Sequence, residues 1–494
     1  MQMDYLRLID EYRSEMVRTL SELVQIRSVE EDAVETEDKG LLPFGYGVQE
    51  ALEYLLYKGR EDGFDTENID NYGGHIEFGG CTLYESGETI FASDEVMGIL
   101  GHLDVVPEGD GWDFEPYSGA VADGRVYGRG SSDDKGPVIA AYYAMKALKD
   151  SGFVPEKKVR LILGLDEETN WKGMEYYFSK VEPPTFGFTP DSDFPAIHGE
   201  KGIIVFQIAK KFGKNMDKGL ELRSMSGGNA PNMVADSVRA VLRDSSVPSG
   251  ASSASYEKIR EQAALYRAET GHRISVRGIG KNLEISAAGV SAHGATPEKG
   301  TNAISILMDF LGRFNFVNED VAEFIEFYNR FIGFETDGKR LGCGLWDEPS
   351  GGTILNVGQI EMDTESVTLT VNVRYPVTLT AEMVYDGMMP LLNQYNLGVV
   401  KGKDQKPIYL AADSPLITTL MDVYRERTGD YESRPFVIGG GTYARACDGI
   451  VAFGAIFPGD PELAHQKNEF IEIDKLVLTA KIYADAIYRL TKPE

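Results

Sequence analysis

Five side chains able to hold metal, His102, Asp133, Glu168, Asp191 and His465, are spread across most of this chain. Each sits where a chain turning out of a strand would present a side chain. Three carboxylates and two neutral imidazoles suit a pair of divalent cations. With one bridging hydroxide the charges sum to zero, so such a cluster could be buried without a large desolvation cost. Glu167 precedes Glu168 and is not needed as a ligand. Neighbouring side chains diverge, so Glu168 could bind metal while Glu167 takes a proton from the bridging water. The chemistry this set supports is metal-assisted hydrolysis.

The segments around these residues carry their own signals. His102 follows an apolar run, and Asp104 stands two residues on; on a strand such residues point the same way, so the Asp104 carboxylate could orient the imidazole. Residues 128–137 combine glycines, the adjacent Asp133 and Asp134, and a proline that starts a helix behind them. Glu167 and Glu168 come directly after a strongly apolar run, and Asp191 lies in a proline-bounded turn. His465 belongs to a loop ahead of a short strand and the final helix. Singly, each has an ordinary reading as a strand end, a helix cap, a solvated acidic loop or a turn; their joint occurrence points to a site.

The elements that must position them are legible from periodicity. At 494 residues, two or more domains are expected. The first 200 residues alternate helical and strand patterns, as an α/β sheet requires. Helices are predicted over 48–62, stopped by Gly63, and over 136–150, opened by Pro137. Short apolar runs at 96–100 and 159–165 read as strands buried on both faces, and each leads straight into a ligand segment. Open α/β sheets place their ligands at the carboxyl ends of strands. From 203 to 405 the texture changes to an inserted α+β domain, with strands at 202–209, 283–287 and 367–375, a helix at 301–314 and an exposed serine-rich loop at 245–255. The α/β character returns with Ser414-Pro415, opening a helix that closes at Gly429, and a last helix runs over 474–490. The expected organisation is a catalytic domain of 1–202 and 406–494 interrupted by an inserted domain of 203–405. A sheet begun by the first part and finished by the last would bring His465 to the other ligands.

Composition narrows the partners. The net charge is −29, from 78 acidic against 49 basic residues, and such a surface repels nucleic acid and anionic lipid. Cys81, Cys343 and Cys447 are widely separated and form no CxxC pair, which argues against a disulfide framework or a thiolate zinc site and suits a reducing cytoplasm. Leu6, Ile9, Met16, Leu20 and Leu23, interleaved with charges, predict an amphipathic N-terminal helix, not a signal peptide. No stretch of about 18 uncharged apolar residues occurs, so no membrane span and no membrane partner are expected.

The segments GHLDVVPEGDGW, GRGSSDDKGP, LGLDEET, TPDSDFPAIHGEKG, SAHGATPEKGTNAI, VNVRYPV, GGGTYAR and FPGDPELAHQKNEF span residues 101 to 470 in order. They resemble those of the dinuclear zinc metallopeptidase family M20, most closely its PepV-like dipeptidase branch. The resemblance implies a zinc-exopeptidase-like catalytic domain with an inserted, enlarged α+β lid. It implies two zinc ions, replaceable by manganese or cobalt: His102 and Asp191 on one, Glu168 and His465 on the other, and Asp133 bridging both. Glu167 would be the general base, Asp104 would orient His102, and a non-proline cis peptide would follow Asp133. His293 matches the lid histidine expected to stabilise the oxyanion, although Gly294 after it departs from the usual pattern. Asn232 and Arg374 match positions expected to grip a small peptide substrate, the guanidinium suiting a C-terminal carboxylate. Gly440 and Thr442, in Gly439-Gly-Gly-Thr442, would offer a backbone donor and a hydroxyl. The enlarged lid could supply contacts that dimeric relatives take from a partner subunit, consistent with a monomer. The expected activity is hydrolysis of unblocked dipeptides; the alternative is deacylation of N-acylated amino acids. A non-catalytic scaffold should show an eroded ligand or base, and all six positions are intact.

Overall fold

The computed structural model describes residues 4–83, 89–91, 93–213, 217–247 and 254–493. The fold is mixed α/β and divides into two compact units. One comprises Met1–His198, Leu410–Phe436 and Gly441–Glu494; the other, inserted in it, comprises Gly199–Tyr409 and Val437–Gly440.

In the first unit the strand order is Ile197–Glu200, Ile450–Ala452, Phe186–Thr189, Val96–His102, Lys158–Gly164, Gly74–Phe78 and Asp65–Asn68. Ile450–Ala452, Phe186–Thr189, Val96–His102 and Lys158–Gly164 run parallel, so their carboxyl ends share one edge. The flanking strands are antiparallel. Central parallel strands must be apolar on both faces. Accordingly, only the first residue of Val96–His102 and of Lys158–Gly164 is more than slightly exposed. Two glycines let the strands approach: a Cβ on Gly187, at φ 155, would fall 1.8 Å from the carbonyl oxygen of Gly98.

Helix Lys135–Asp150 is apolar around its whole circumference, with Val138 to Met145, Ala147 and Leu148 all buried. A helix of that composition has to be covered on every side. The N-terminal helices and Ile473–Thr491 share its core, and the hydroxyls of Tyr143 and Thr19 meet at 2.8 Å. The single N-terminal helix expected from the sequence is two, Tyr5–Glu11 and Arg13–Val24. Hydrogen bonds still run through the junction, from the Tyr12 amide to Leu8 and from the Met16 amide to Tyr12.

The second unit is built on an antiparallel sheet in the order Arg273–Ile279, Asn282–Ala288, Ser237–Asp244, Leu220–Gly227, Ile354–Met362, Ser366–Tyr375, Gly202–Lys211 and Gly398–Val400. Burial alternates along Gly202–Lys211 and Ser237–Asp244, as expected when one face packs on a core. Helices Ala254–Thr270, Ala303–Leu311, Glu319–Phe331 and Ala381–Gln394 contribute to that core. The helix predicted over 301–314 is shorter because the Asn302 side chain caps it, accepting from the Ile304 amide at 2.9 Å. Of the serine-rich loop, residues 248–253 lie outside the described residues, and Ser255 is already helical. A bulge between Val357 and Gln359 falls at Gly358, where a Cβ would lie 2.4 Å from the Pro231 carbonyl oxygen.

Among the described residues no helix is long and apolar enough to cross a membrane. Cys343 and Cys447 are free.

Candidate metal centre

The parallel strands deliver the expected ligands to one edge of the sheet. His102 is the last residue of its strand. Glu167 and Glu168 occupy the turn after Lys158–Gly164, Asp191 follows Phe186–Thr189, and His465 lies in the loop beyond Ile450–Ala452. Asp133 stands just ahead of helix Lys135–Asp150, and its peptide bond to Asp134 is cis.

Asp133 lies between two ligand groups. Its Oδ1 is 3.1 Å from Nε2 of His102, which is 3.9 Å from Oδ2 of Asp191. Its Oδ2 is 3.3 Å from Nε2 of His465, which is 3.0 Å from both carboxylate oxygens of Glu168. In each triad the ligand atoms lie within 4.8 Å of one another. Ligands about 2.0–2.1 Å from one tetrahedral ion stand about 3.3 Å apart. The spacing therefore fits a divalent cation in each triad, with Asp133 common to both.

The His102 imidazole is oriented for that task. Nδ1 of His102 faces the Asp104 carbonyl oxygen at 3.0 Å and the Asp104 carboxylate at 3.4 Å. With Nδ1–H donating there, Nε2 keeps its lone pair toward Asp133 and Asp191. The strand ends at His102, and the Asp104 carbonyl lies closer to the ring than the Asp104 carboxylate does. The other carboxylate oxygen of Asp104 accepts from the Glu168 amide at 3.1 Å, tying the two turns together. His465 has φ 63, an uncommon conformation for a residue with a Cβ.

The charge balance favours a cation. Burial, reinforced by the charge of Asp133, pushes the Asp191 carboxyl up to about 7. Burial and the charge of Asp191 raise Glu167 well above the carboxylate range. Hydrogen bonds that the ring donates to the Asp133 and Glu168 carboxylates raise His465 to about 10. Burial opposes charge on His102, yet Asp104 and Asp133 outweigh it and raise its pKa. Crowded carboxylates that hold protons, or borrow them from histidines, carry negative charge that divalent cations would neutralise. Oxygen and imidazole donors suit zinc, manganese or cobalt.

The Glu167 turn is held from below. Nε1 of Trp171 donates to the Glu167 carbonyl at 2.6 Å, and the buried Asp166 carboxylate accepts from the Gly173 amide at 3.0 and 3.1 Å. Tyr443, fully buried, stands edge-on to His102 and to Trp171. Asp134, also buried, accepts from the His102 amide at 3.2 Å. The contributions of Asp134, Trp171 and Tyr443 are not legible in the sequence. Asp134 was adjacent to a candidate ligand and Tyr443 lay inside GGGTYAR, but burial is a property of the fold.

The remaining candidates divide between the units. Asn232, His293, Arg374 and Gly440 belong to the inserted unit and Thr442 to the first. The carbonyl of Asn232 accepts from the Gly294 amide at 2.7 Å, and Met233 pairs with His293, so Asn232 and His293 sit on facing segments. Arg374 is buried in Ser366–Tyr375 and donates to the Gly439 carbonyl. Partial desolvation of the exposed His293 ring and the charge of Arg374 hold that imidazole below its usual pKa. The Thr442 hydroxyl accepts from the Ala444 amide at 3.2 Å, capping the short helix Tyr443–Ala446.

Known proteins share this chain's pattern. A family model described as peptidase family M20/M25/M40 matches residues 98–489. A Staphylococcus epidermidis protein named "Putative dipeptidase" is 37% identical over 97% of this chain and 98% of its own length. "Putative dipeptidase YtjP" of Bacillus subtilis is likewise 37% identical, over 97% of this chain and 98% of its own. Among solved structures, aminoacylhistidine dipeptidase from Vibrio alginolyticus has a similar fold, with TM-score 0.55 at 14% identity, covering 97% of this chain and 96% of that one. The dipeptidase Dug1p from Saccharomyces cerevisiae gives 0.53 at 15% identity with complete coverage of both chains. With two candidate ligand triads at the carboxyl edge of the parallel strands and a family match along most of its length, this chain belongs to peptidase family M20/M25/M40.

Proposed function

We propose that this protein is a metal-dependent dipeptidase that hydrolyses unblocked dipeptides with two divalent cations, zinc in the first instance. The observation that carries the proposal is the sharing of Asp133 between two triads, beside a carboxylate, Glu167, that belongs to neither. His102 and Asp191 would hold one ion, Glu168 and His465 the other. When bound, the pair would polarise the scissile carbonyl and acidify the attacking water. Glu167 takes that water's proton as the new C–O bond forms. It returns the proton to the amide nitrogen as the C–N bond breaks, so the amine leaves neutral.

For the inserted unit we propose substrate roles. His293, kept neutral beside Arg374, donates to the carbonyl oxygen as it gains charge. The Arg374 guanidinium takes the C-terminal carboxylate, with Asn232 alongside. Gly440 and Thr442 contribute a backbone donor and a hydroxyl. The names of the relatives at 37% identity favour dipeptides over acylated amino acids. The cytoplasm, where free thiols persist, is the home we propose.

The test is purified protein, with bound metal counted, assayed on a dipeptide panel beside N-acetylated amino acids before and after chelation. Chelator-sensitive cleavage of dipeptides, restored by zinc, is expected. Faster cleavage of the acetylated compounds would move the chain to the deacylase reading, and chelator-resistant turnover would overturn both.

A further inference from the structure

One buried ion pair outside the ligand set joins the two loops that present Asp133 and His465. Arg129 and Glu469 are both essentially inaccessible, 2% and 0% exposed, and their side chains meet at 2.7 Å. A buried charge pair is retained against its desolvation cost only when further hydrogen bonds satisfy it, and here those bonds have a direction. The second carboxylate oxygen of Glu469 accepts from the amides of Ser132 at 2.8 Å and Asp133 at 3.1 Å. Nη1 of Arg129 also donates to the carbonyl of Gln466 at 3.1 Å, the residue after His465. Each partner therefore reaches across to the loop of the other.

The strands Arg125–Tyr127 and Phe470–Glu472 lead into and out of this crossing. They pair antiparallel, ending at Tyr127 opposite Phe470. One further backbone bond follows, from the Gly128 amide to the Glu469 carbonyl at 2.9 Å. Beyond it the ladder stops and the ion pair takes over, just where the chains diverge toward the ligands. Two residues of the second loop, His465 and Asn468, have positive φ. Such conformations persist when the surroundings over-determine them. Asn468 is pinned separately, to the amide and carboxylate of Asp113 at 2.7 and 2.9 Å.

We infer that Arg129 and Glu469 are positioning residues, which set the distance between the Asp133 carboxylate and the His465 imidazole and thereby the affinity of the cation site those two share with Glu168. The inference rests on the metal-centre reading above and adds a structural device that acts mainly on one of its two sites. Asp191 makes no bond to this strut, so the site it shares with His102 depends on it only through Asp133.

The experiment compares wild type with Glu469→Gln and Arg129→Lys. Zinc is counted and its affinity measured by competition with a chromophoric chelator, folding is checked by circular dichroism, and kcat and KM are determined at several zinc concentrations. Outer partners of metal ligands are worth about 10–100-fold in metal affinity. The expected result is the zinc held by Asp133, Glu168 and His465 weakened by about that factor and the other zinc weakened less, through Asp133 alone. Lost kcat should return at high zinc while KM stays unchanged. Two zinc ions held with wild-type affinity in a folded variant would overturn the inference while leaving the metal centre intact. So would equal weakening of both sites. Should Glu469→Gln fail to fold, Arg129→Lys, which keeps the charge and loses the fork, decides the matter by the same readouts. Wild-type protein that binds no zinc would end the metal-centre reading and this inference together.

Discussion

Replacing Glu167 by glutamine separates a proton shuttle from a metal ligand. The substitution keeps volume and leaves the turn's supports in place: Trp171 donates to the Glu167 backbone carbonyl and the Glu168 amide donates to Asp104, so neither bond uses the lost carboxylate. The triads do not include Glu167, so both metal sites should survive. What disappears is the acceptor for the water's proton. General acid–base help of this kind is worth about 10²–10⁴-fold, or about 2.7–5.5 kcal/mol at 1.36 kcal/mol per decade. Folding should not suffer. Burial first, and then the charges of Asp191 and Glu168, disfavour a charged Glu167, so a neutral amide is tolerated there and the metal-free variant should melt no lower than wild type. The assay is kcat and KM on a dipeptide with zinc counted in the same sample. A variant that holds two zinc ions and turns over at the wild-type rate refutes the base assignment. A variant that loses one zinc ion refutes the ligand assignment instead.

Two further outcomes test the scaffold. Asp62 accepts from Lys146 at 2.7 Å and from the Tyr142 hydroxyl; burial alone would raise its pKa, but these donors hold it below the usual carboxylate value. A depressed carboxylate adds stability that is present above its unfolded pKa of about 3.9 and is lost as pH falls through the folded value. Asp62→Ala should therefore cost about 1–3 kcal/mol near neutrality, with the gap from wild type narrowing below about pH 4; a gap independent of pH in urea unfolding would count against the pairing. Gly187→Ala should destabilise by at least about 1–3 kcal/mol, since its new Cβ would meet the Gly98 carbonyl at 1.8 Å. An unchanged denaturation midpoint would mean that strands Phe186–Thr189 and Val96–His102 do not approach as described.

Periodicity, glycine and proline make much of the architecture legible in the sequence. Gly63 and Gly429 stop the helices they were expected to stop, and the strand running to His102 ends on the histidine itself. These are local facts: a residue's φ preference or an apolar run acts over a few positions, so neighbouring residues suffice to predict it. The ligand types were legible for a similar reason, since carboxylate and imidazole are what a hard or borderline divalent cation accepts.

Distances and burial were not legible in that way. Asp104 was expected to orient His102 through its carboxylate; that carboxylate stands 3.4 Å from Nδ1, but the backbone carbonyl of the same residue is nearer, at 3.0 Å, a difference that residue spacing does not supply. Arg129 and Glu469 look in sequence like two more surface charges; only the pairing of Arg125–Tyr127 with Phe470–Glu472 buries them together. By itself the sequence determined which elements form and which side chains could carry charge to a metal. Tertiary structure decided which of them meet and which are cut off from water. Those outcomes depend on contacts between residues hundreds of positions apart, and no local propensity encodes the dielectric or the company a side chain will find there.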